Sequence, residues 1–352
     1  MNPRKSDEIR TFLIQGINDN KRGIVSETAT HFGVTRQAIL RHVHNLQAEG
    51  KIQIQGKTRN RQYTVIPIAK IEIPLTVSPS LEEDVVWRQH IRPALEGIRS
   101  NVLEICQYGF TEMLRNVIDH SESSAANARL NYFPGRIKMA VIDFGVGIFN
   151  KIQKTFKLND PRDAILELTK GKLTTDPQRH TGEGIFFTSR MFDRFSILSE
   201  KLYFAHRAEG DDWLLEDEKP IVGTLVEMII DPLSTRTVQT VFNKFSSSKD
   251  DFGFFKTHVP VRLARYGNEN LVSRSQAKRL LSRFERFGEI ILDFKGVSTI
   301  GQAFADEIFR VFRQDHPDIN IYPINISSQI KRMINRARTV TVSSNTNPSN
   351  SV

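Results

Sequence analysis

The sequence predicts a multidomain α+β protein of three folded segments, and three observations predict it. The chain has 352 residues, too many for one ordinary core and enough for two or three domains that each bury sufficient apolar surface. The apolar periodicity changes character twice along the chain, from helices with a short hairpin, to helices over strands, to alternating strands and helices. Polar or proline-containing stretches fall at both changes, at 69–84 and at Ser246-Ser247-Ser248-Lys249.

Composition sets the class. Hydrophobic residues at 39% and charged residues at 25% describe a globular chain, and no apolar run approaches the roughly 20 residues of a membrane helix. The start, MNPRKSDEIR, has no apolar segment behind its basic residues, so the expectation is a cytoplasmic protein with no membrane partner. Cys106 is the single cysteine, which excludes an internal disulfide and any zinc site with two thiolates. The net charge of +9 is uneven: residues 1–70 carry 12 Lys/Arg against 5 Asp/Glu and residues 253–352 carry 15 against 8, while residues 71–252 are slightly acidic. Basic ends favour a polyanionic partner.

Residues 1–68 read as three helices and two strands. Ser6 and Ser26 are candidate caps of the first two helices, and Thr35 of a third with Ile39, Leu40, Val43 and Leu46 inward. That spacing leaves Arg36, Gln37, Arg41 and His44 on the outer face. The alternating segments 51–55 and 61–65 pair as a hairpin whose tip carries Lys57, Arg59 and Arg61. A turn, a capped basic helix and a basic hairpin together resemble the winged helix-turn-helix domains of bacterial regulators. The resemblance implies DNA binding, with Arg36, Gln37, Arg41 and His44 reaching base edges and Lys57, Arg59 and Arg61 meeting phosphates.

Residues 69–84 read as a linker or an entry strand. In residues 85–248 three separated elements carry chemistry. The helical segment Glu112-Met113-Leu114-Arg115-Asn116-Val117-Ile118-Asp119-His120 places Glu112, Asn116 and His120 on one face, where a carboxylate and an amide can polarise a nucleophile and hold Mg²⁺. The apolar strand Val141-Ile142-Asp143 ends in Phe144-Gly145-Val146-Gly147, so a buried acid there needs a donor such as an exocyclic amine. The turn Thr181-Gly182-Glu183-Gly184 opens a further helix whose free N–H groups suit phosphate oxygens.

These elements, in this order, resemble the N, G1 and G2 boxes of the GHKL ATPases, the superfamily of gyrase, heat-shock chaperones, histidine kinases and mismatch-repair ATPases. By that resemblance the segment is an α/β sandwich of the Bergerat fold that binds ATP and Mg²⁺. Glu112 is then the general base, Asn116 the Mg²⁺ ligand and Asp143 the adenine partner. Gly145, Gly147, Gly182 and Gly184 make the turns around the nucleotide, and Thr224 supports the adenine contact. Asn150–His180 corresponds to the ATP lid, with Lys170, Lys172, Arg179 and His180 as candidate phosphate contacts. Within the superfamily the Glu112–His120 segment is most similar to the anti-sigma-factor serine kinases.

Residues 253–335 resemble a STAS-like domain of unknown function, carried by Ile291-Leu292-Asp293-Phe294-Lys295-Gly296-Val297-Ser298-Thr299-Ile300-Gly301-Gln302-Ala303-Phe304. Where the related anti-sigma-factor antagonists carry a phosphorylated serine, this chain has Ala303. The resemblance implies a docking domain for a protein partner, in a dimer. Residues 336–352 read as a disordered tail. The leading expectation is an ATP-responsive DNA-binding regulator. The alternatives are a serine/threonine kinase acting on a separate protein and a phage-defence or stress-sensing ATPase.

Overall fold

The computed structural model describes residues 3–56, 60–173, 182–208, 212–246, 254–266 and 269–339. It is a mixed α/β protein with several sheets. The chain opens with helices α1 (Pro3–Asn18), α2 (Ile24–Phe32) and α3 (Arg36–Ala48), followed by the antiparallel pair β1 (Ile52–Gln55) and β2 (Gln62–Val65). Residues four apart on α1, Ile9, Leu13 and Ile17, meet Ile24, Ile39, Val43 and Leu46 in a core separate from that of the rest of the chain. Helical periodicity thus sets the inward faces. The caps follow it only in part. Thr35 Oγ1 accepts the Ala38 N–H at 3.2 Å, an arrangement worth about 1 kcal/mol. Ser6 and Ser26 lie inside their helices, because α1 already begins at Pro3 and Gly23, at φ 73°, makes the turn into α2.

Residues 69–76 form a strand rather than a linker. This β3 (Ala69–Thr76) is the edge of a five-stranded antiparallel sheet, and it pairs with β4 in register from Ala69↔Tyr132 to Thr76↔Ala125. The short α4 (Glu83–Val86) continues through a π-turn at Trp87–Ile91, and α5 (Ser100–His120) crosses the sheet. Then come β4 (Ala125–Phe133), β5 (Arg136–Asp143), α6 (Ile148–Phe156), α7 (Pro161–Lys170), α8 (Gly184–Met191), β6 (Arg194–Arg207), β7 (Trp213–Ile230) and α9 (Val238–Phe245). The strand order is β3-β4-β5-β7-β6. Ile137, Met139 and Val141 alternate along β5 with 1% or less of their surface exposed. Period two therefore carries Asp143 onto the same face, toward Met113 and Val117 of α5, which share that core.

The remaining segment holds β8 (Lys256–Pro260), α10 (Arg274–Leu281), β9 (Glu289–Asp293), α11 (Gln302–Asp306), a π-turn leading into α12 (Phe312–Asp315), β10 (Asn320–Ile324) and α13 (Ser328–Thr339). Its three strands are parallel, in the order β10-β9-β8, so each connection must cross a face of the sheet and the helices cover it. Ser273 and Gln276 form a capping box at the start of α10. Residues 336–339 belong to α13 and not to the expected tail; residues 340–352 lie outside the described part.

One hydrophobic core runs from Ile73 to Ala337 and joins the central and C-terminal segments. Phe254 links them, with ring centroids 4.6 Å from Phe186 and 5.4 Å from Phe287. Aromatic contacts of this kind add about 0.5–1.5 kcal/mol each beyond area burial. The two segments are packed as one body.

Candidate functional site

A cavity of about 450 Å³ opens between α5, the end of β5 and the start of α8, within the size range of small-molecule sites. Glu112, Asn116, Asp143, Gly147, Gly182, Gly184 and Thr224 all line it. Residues up to 112 positions apart in sequence thus converge on one space. His120 joins them from the last turn of α5. Gly145 does not line the cavity; its N–H instead donates to Asp143 Oδ1 at 2.9 Å. Val141, Val226, Met113, Ile148, Ile152 and Leu168 supply apolar walls. Only the strand pattern around Asp143 hinted at these.

Local geometry explains why glycine is needed at two positions. Gly147, at φ 76°, turns the chain from β5 into α6, a conformation that costs other residues dearly. A Cβ on Gly184 would overlap the Glu112 carboxylate, so a side chain there would push that carboxylate aside where α8 meets α5. The first turn of α8 brings Gly184 and Ile185 to the cavity, where unsatisfied N–H groups favour an anion.

Electrostatics set the character of the two ends. Asp143 is 5% exposed, and burial raises its carboxyl above the usual range against hydrogen bonds from Gly145 and Thr224 that hold it down. Asp143 and Thr224 are direct partners across β5 and β7, and Thr224 Oγ1 also accepts the Ile148 N–H at 3.0 Å. The buried carboxylate is therefore fixed in place from the opposite strand. Arg115 and Lys151 bring positive charge to the lining, Arg115 paired with Glu83 and Lys151 with Glu122 at 2.8 Å. Sequence reasoning passed over both, since nothing in the order of the chain distinguishes them from solvated cations.

The expected lid divides. Asn150–Lys170 is largely helical, in α6 and α7, and Thr181, Arg179 and His180 lie outside the described residues. Lys170 is not a phosphate contact. Its side chain is 1% exposed, and Nζ reaches Glu167 at 2.6 Å and the Ser282 carbonyl at 2.9 Å, toward the C-terminal segment. Lys172 likewise donates to the Arg286 carbonyl at 2.9 Å. Neither lysine lines the cavity. Both had the charge for a phosphate, but packing against α10 and the chain after it turned them away.

On the first segment Arg36, Gln37, Arg41 and His44 are exposed together on α3, opposite Ile39, Val43 and Leu46. Arg61 is exposed at the start of the returning strand; Lys57 and Arg59 lie outside the described residues. His42, on the inward side, is buried, and burial followed by the nearby Arg10 lowers its pKa.

Among the described residues no group of three or more His, Cys, Asp or Glu side chains is arranged to hold a metal ion, and no helix is long and apolar enough to cross a membrane. Asn116 is a lining residue that could hold a Mg²⁺ ion, which keeps several waters.

Comparison with known families adds one assignment. Residues 276–331 match a STAS-like domain of unknown function (DUF4325), a span running from α10 through β9, α11, α12 and β10 into α13. The chain thus carries a STAS-like domain packed on the cavity-bearing segment. No curated protein matches the chain.

Proposed function

We propose that the protein is an ATP-responsive DNA-binding regulator: residues 1–68 act as a winged helix on DNA, residues 85–248 as a GHKL-type ATP site, and the STAS-like domain as the element through which the two communicate. One observation carries the reading. Glu112, Asn116, Asp143, Gly147, Gly182, Gly184 and Thr224, drawn from three separated sequence elements and a fourth strand, line a single cavity of nucleotide size. Apolar walls suit the adenine ring and the Asp143 carboxylate its amine, while the start of α8 suits the phosphates. With ATP bound, Asn116 would hold its Mg²⁺, which would neutralise phosphate charge there. Glu112, on the cavity wall, would orient and accept a proton from an attacking water or hydroxyl.

The link to regulation rests on α7. Its Leu168 lines the cavity, while its Lys170 and Asp163 are held by the C-terminal segment: the Thr257 hydroxyl donates to the Lys170 carbonyl at 2.7 Å and the Tyr266 hydroxyl to Asp163 at 2.8 Å. A ligand that contacts one side of α7 and changes its preferred position shifts how the STAS-like domain is held, provided it binds the two states unequally. Partner surfaces, including a second copy of the chain, would be altered with it. Ala303, at the start of α11, offers no hydroxyl for transfer, which favours a switch over phosphorylation within the chain.

The test is DNA binding by the purified full-length protein with and without saturating ATP and Mg²⁺. A change in DNA affinity or oligomeric state is expected; identical values with nucleotide demonstrably bound would sink the regulatory reading. Labelled phosphate appearing on a second protein, dependent on Glu112, would instead make it a serine/threonine kinase.

A further inference from the structure

Arg190 stands in the last turn of α8, the helix whose first turn meets the nucleotide-sized cavity. It lines a second cavity, of about 410 Å³, between the end of β6, α9 and the strands β8 and β9, of which β9 belongs to the STAS-like domain. Among the described residues six Lys/Arg side chains line this space, among them Arg190, Arg207 and Lys244, against two carboxylates, Asp212 and Asp293. Both carboxylates are already engaged. Asp212 Oδ1 lies 2.5 Å from His206 Nδ1. Asp293 accepts from Asn325 Nδ2 at 2.8 Å and from the Lys295 N–H at 2.9 Å, and its Oδ2 lies 3.3 Å from His258. Arg236 is paired with Asp193 outside the cavity; Arg190, Arg207 and Lys244 carry the excess positive charge among the described residues.

Arg190 shows where that excess is concentrated. Its Nε is shielded from water without a hydrogen-bond partner, while its Nη2 donates to the His258 carbonyl at 3.4 Å and the nearby Asp212 attracts its charge. Its Nη1 faces His206 Nδ1 at 2.6 Å, the same nitrogen that faces Asp212. That nitrogen can donate to Asp212 or accept from Arg190 but not both, so one of the two contacts is always unmet. A guanidinium whose Nε is buried and unpartnered gains from an anion that supplies the missing acceptor.

We propose that this second cavity is a binding site for a small phosphate-bearing ligand, recognised by the Arg190 fork inside and by Arg207 and Lys244 at the mouth. A phosphate presents several acceptor oxygens to a planar guanidinium and to point-charged ammonium groups alike. A volume of 410 Å³ holds more than orthophosphate, so the ligand is a phosphorylated molecule or a polyphosphate. Its walls come from both the central segment and the STAS-like domain, so occupancy would tie them together. The site does not depend on the nucleotide reading of the first cavity.

The experiment is calorimetric titration of the full-length protein with pyrophosphate at low ionic strength, with orthophosphate as a second arm to separate a free phosphate site from one that needs a longer anion. Saturable one-to-one binding is expected, tighter for pyrophosphate. The double variant Arg207→Gln/Lys244→Gln, altering two exposed side chains, should weaken it at least about tenfold, and Arg190→Lys, which keeps charge and removes the fork, by a similar factor. Asn116→Ala, at the first cavity, should leave it unchanged. No binding of either probe up to about 10 mM, equal affinity in the double variant, or loss of binding in Asn116→Ala alone each overturns the proposal.

Discussion

The Lys170 ammonium, at the end of α7, lies 2.9 Å from the Ser282 carbonyl just beyond α10, so a charged side chain of the cavity-bearing segment is buried against the STAS-like domain. Burial lowers its pKa, while Glu167 at 2.6 Å pulls the other way. Such a pair holds a specific arrangement more than it adds net stability.

Replacing Lys170 with methionine keeps the stem but leaves Glu167, 4% exposed, without its nearest counter-charge. The expected loss is about 3 kcal/mol or more, read as a lower midpoint in urea. A variant as stable as wild type would show that the buried pair is dispensable for holding the two segments together.

Asp143→Asn preserves shape while putting an amide where adenine's amine needs an acceptor, and it weakens the acceptor for the Gly145 N–H. Nucleotide affinity should fall roughly 10- to 100-fold in a fluorescent-nucleotide assay, with the fold intact by circular dichroism. Unchanged affinity would refute the adenine role.

On the first segment, Arg61→Ala should weaken DNA binding evenly across sequences and reduce the slope of log affinity against log salt by about one unit. Arg41→Ala should relax sequence preference, at a cost of about 1–3 kcal/mol on the preferred site. Competition assays at several salt concentrations measure both. An affinity that does not respond to salt would mean that α3 meets a protein.

Burial, with Arg190 adding to it and Asp212 opposing, depresses the His206 pKa from 6.5 to about 4. Between those values the unfolded chain binds more protons than the folded one, so stability rises with pH and falls as pH drops from 6.5 toward 4. His206→Gln should flatten that part of a melting-temperature profile. Asp293, held at about 2 by hydrogen bonds that outweigh its burial, acts lower, between 3.8 and 2. A profile with the same slope in the variant would place the acid sensitivity elsewhere.

Much of the candidate site was readable because its determinants are local. The α5 spacing puts Glu112 and Asn116 one turn apart, strand alternation sends Asp143 inward with Val141, and glycines stand where the chain turns or two helices touch. Those are backbone requirements, visible within a few residues.

Other features depend on what a residue meets across the fold, and no local pattern carries that. Pro74 and the polar residues of 69–76 leave a linker and an entry strand both open until β4 supplies the hydrogen bonds of an edge strand. Lys170 has the sequence appearance of a lid cation, yet Ser282, 112 positions on, turns it into a buried contact. Arg190, Arg207 and Lys244 share no motif at all. Short-range sterics and periodicity shape the elements, whereas burial of charge is set by which distant surfaces exclude water from it, and that became visible only once the segments were packed together.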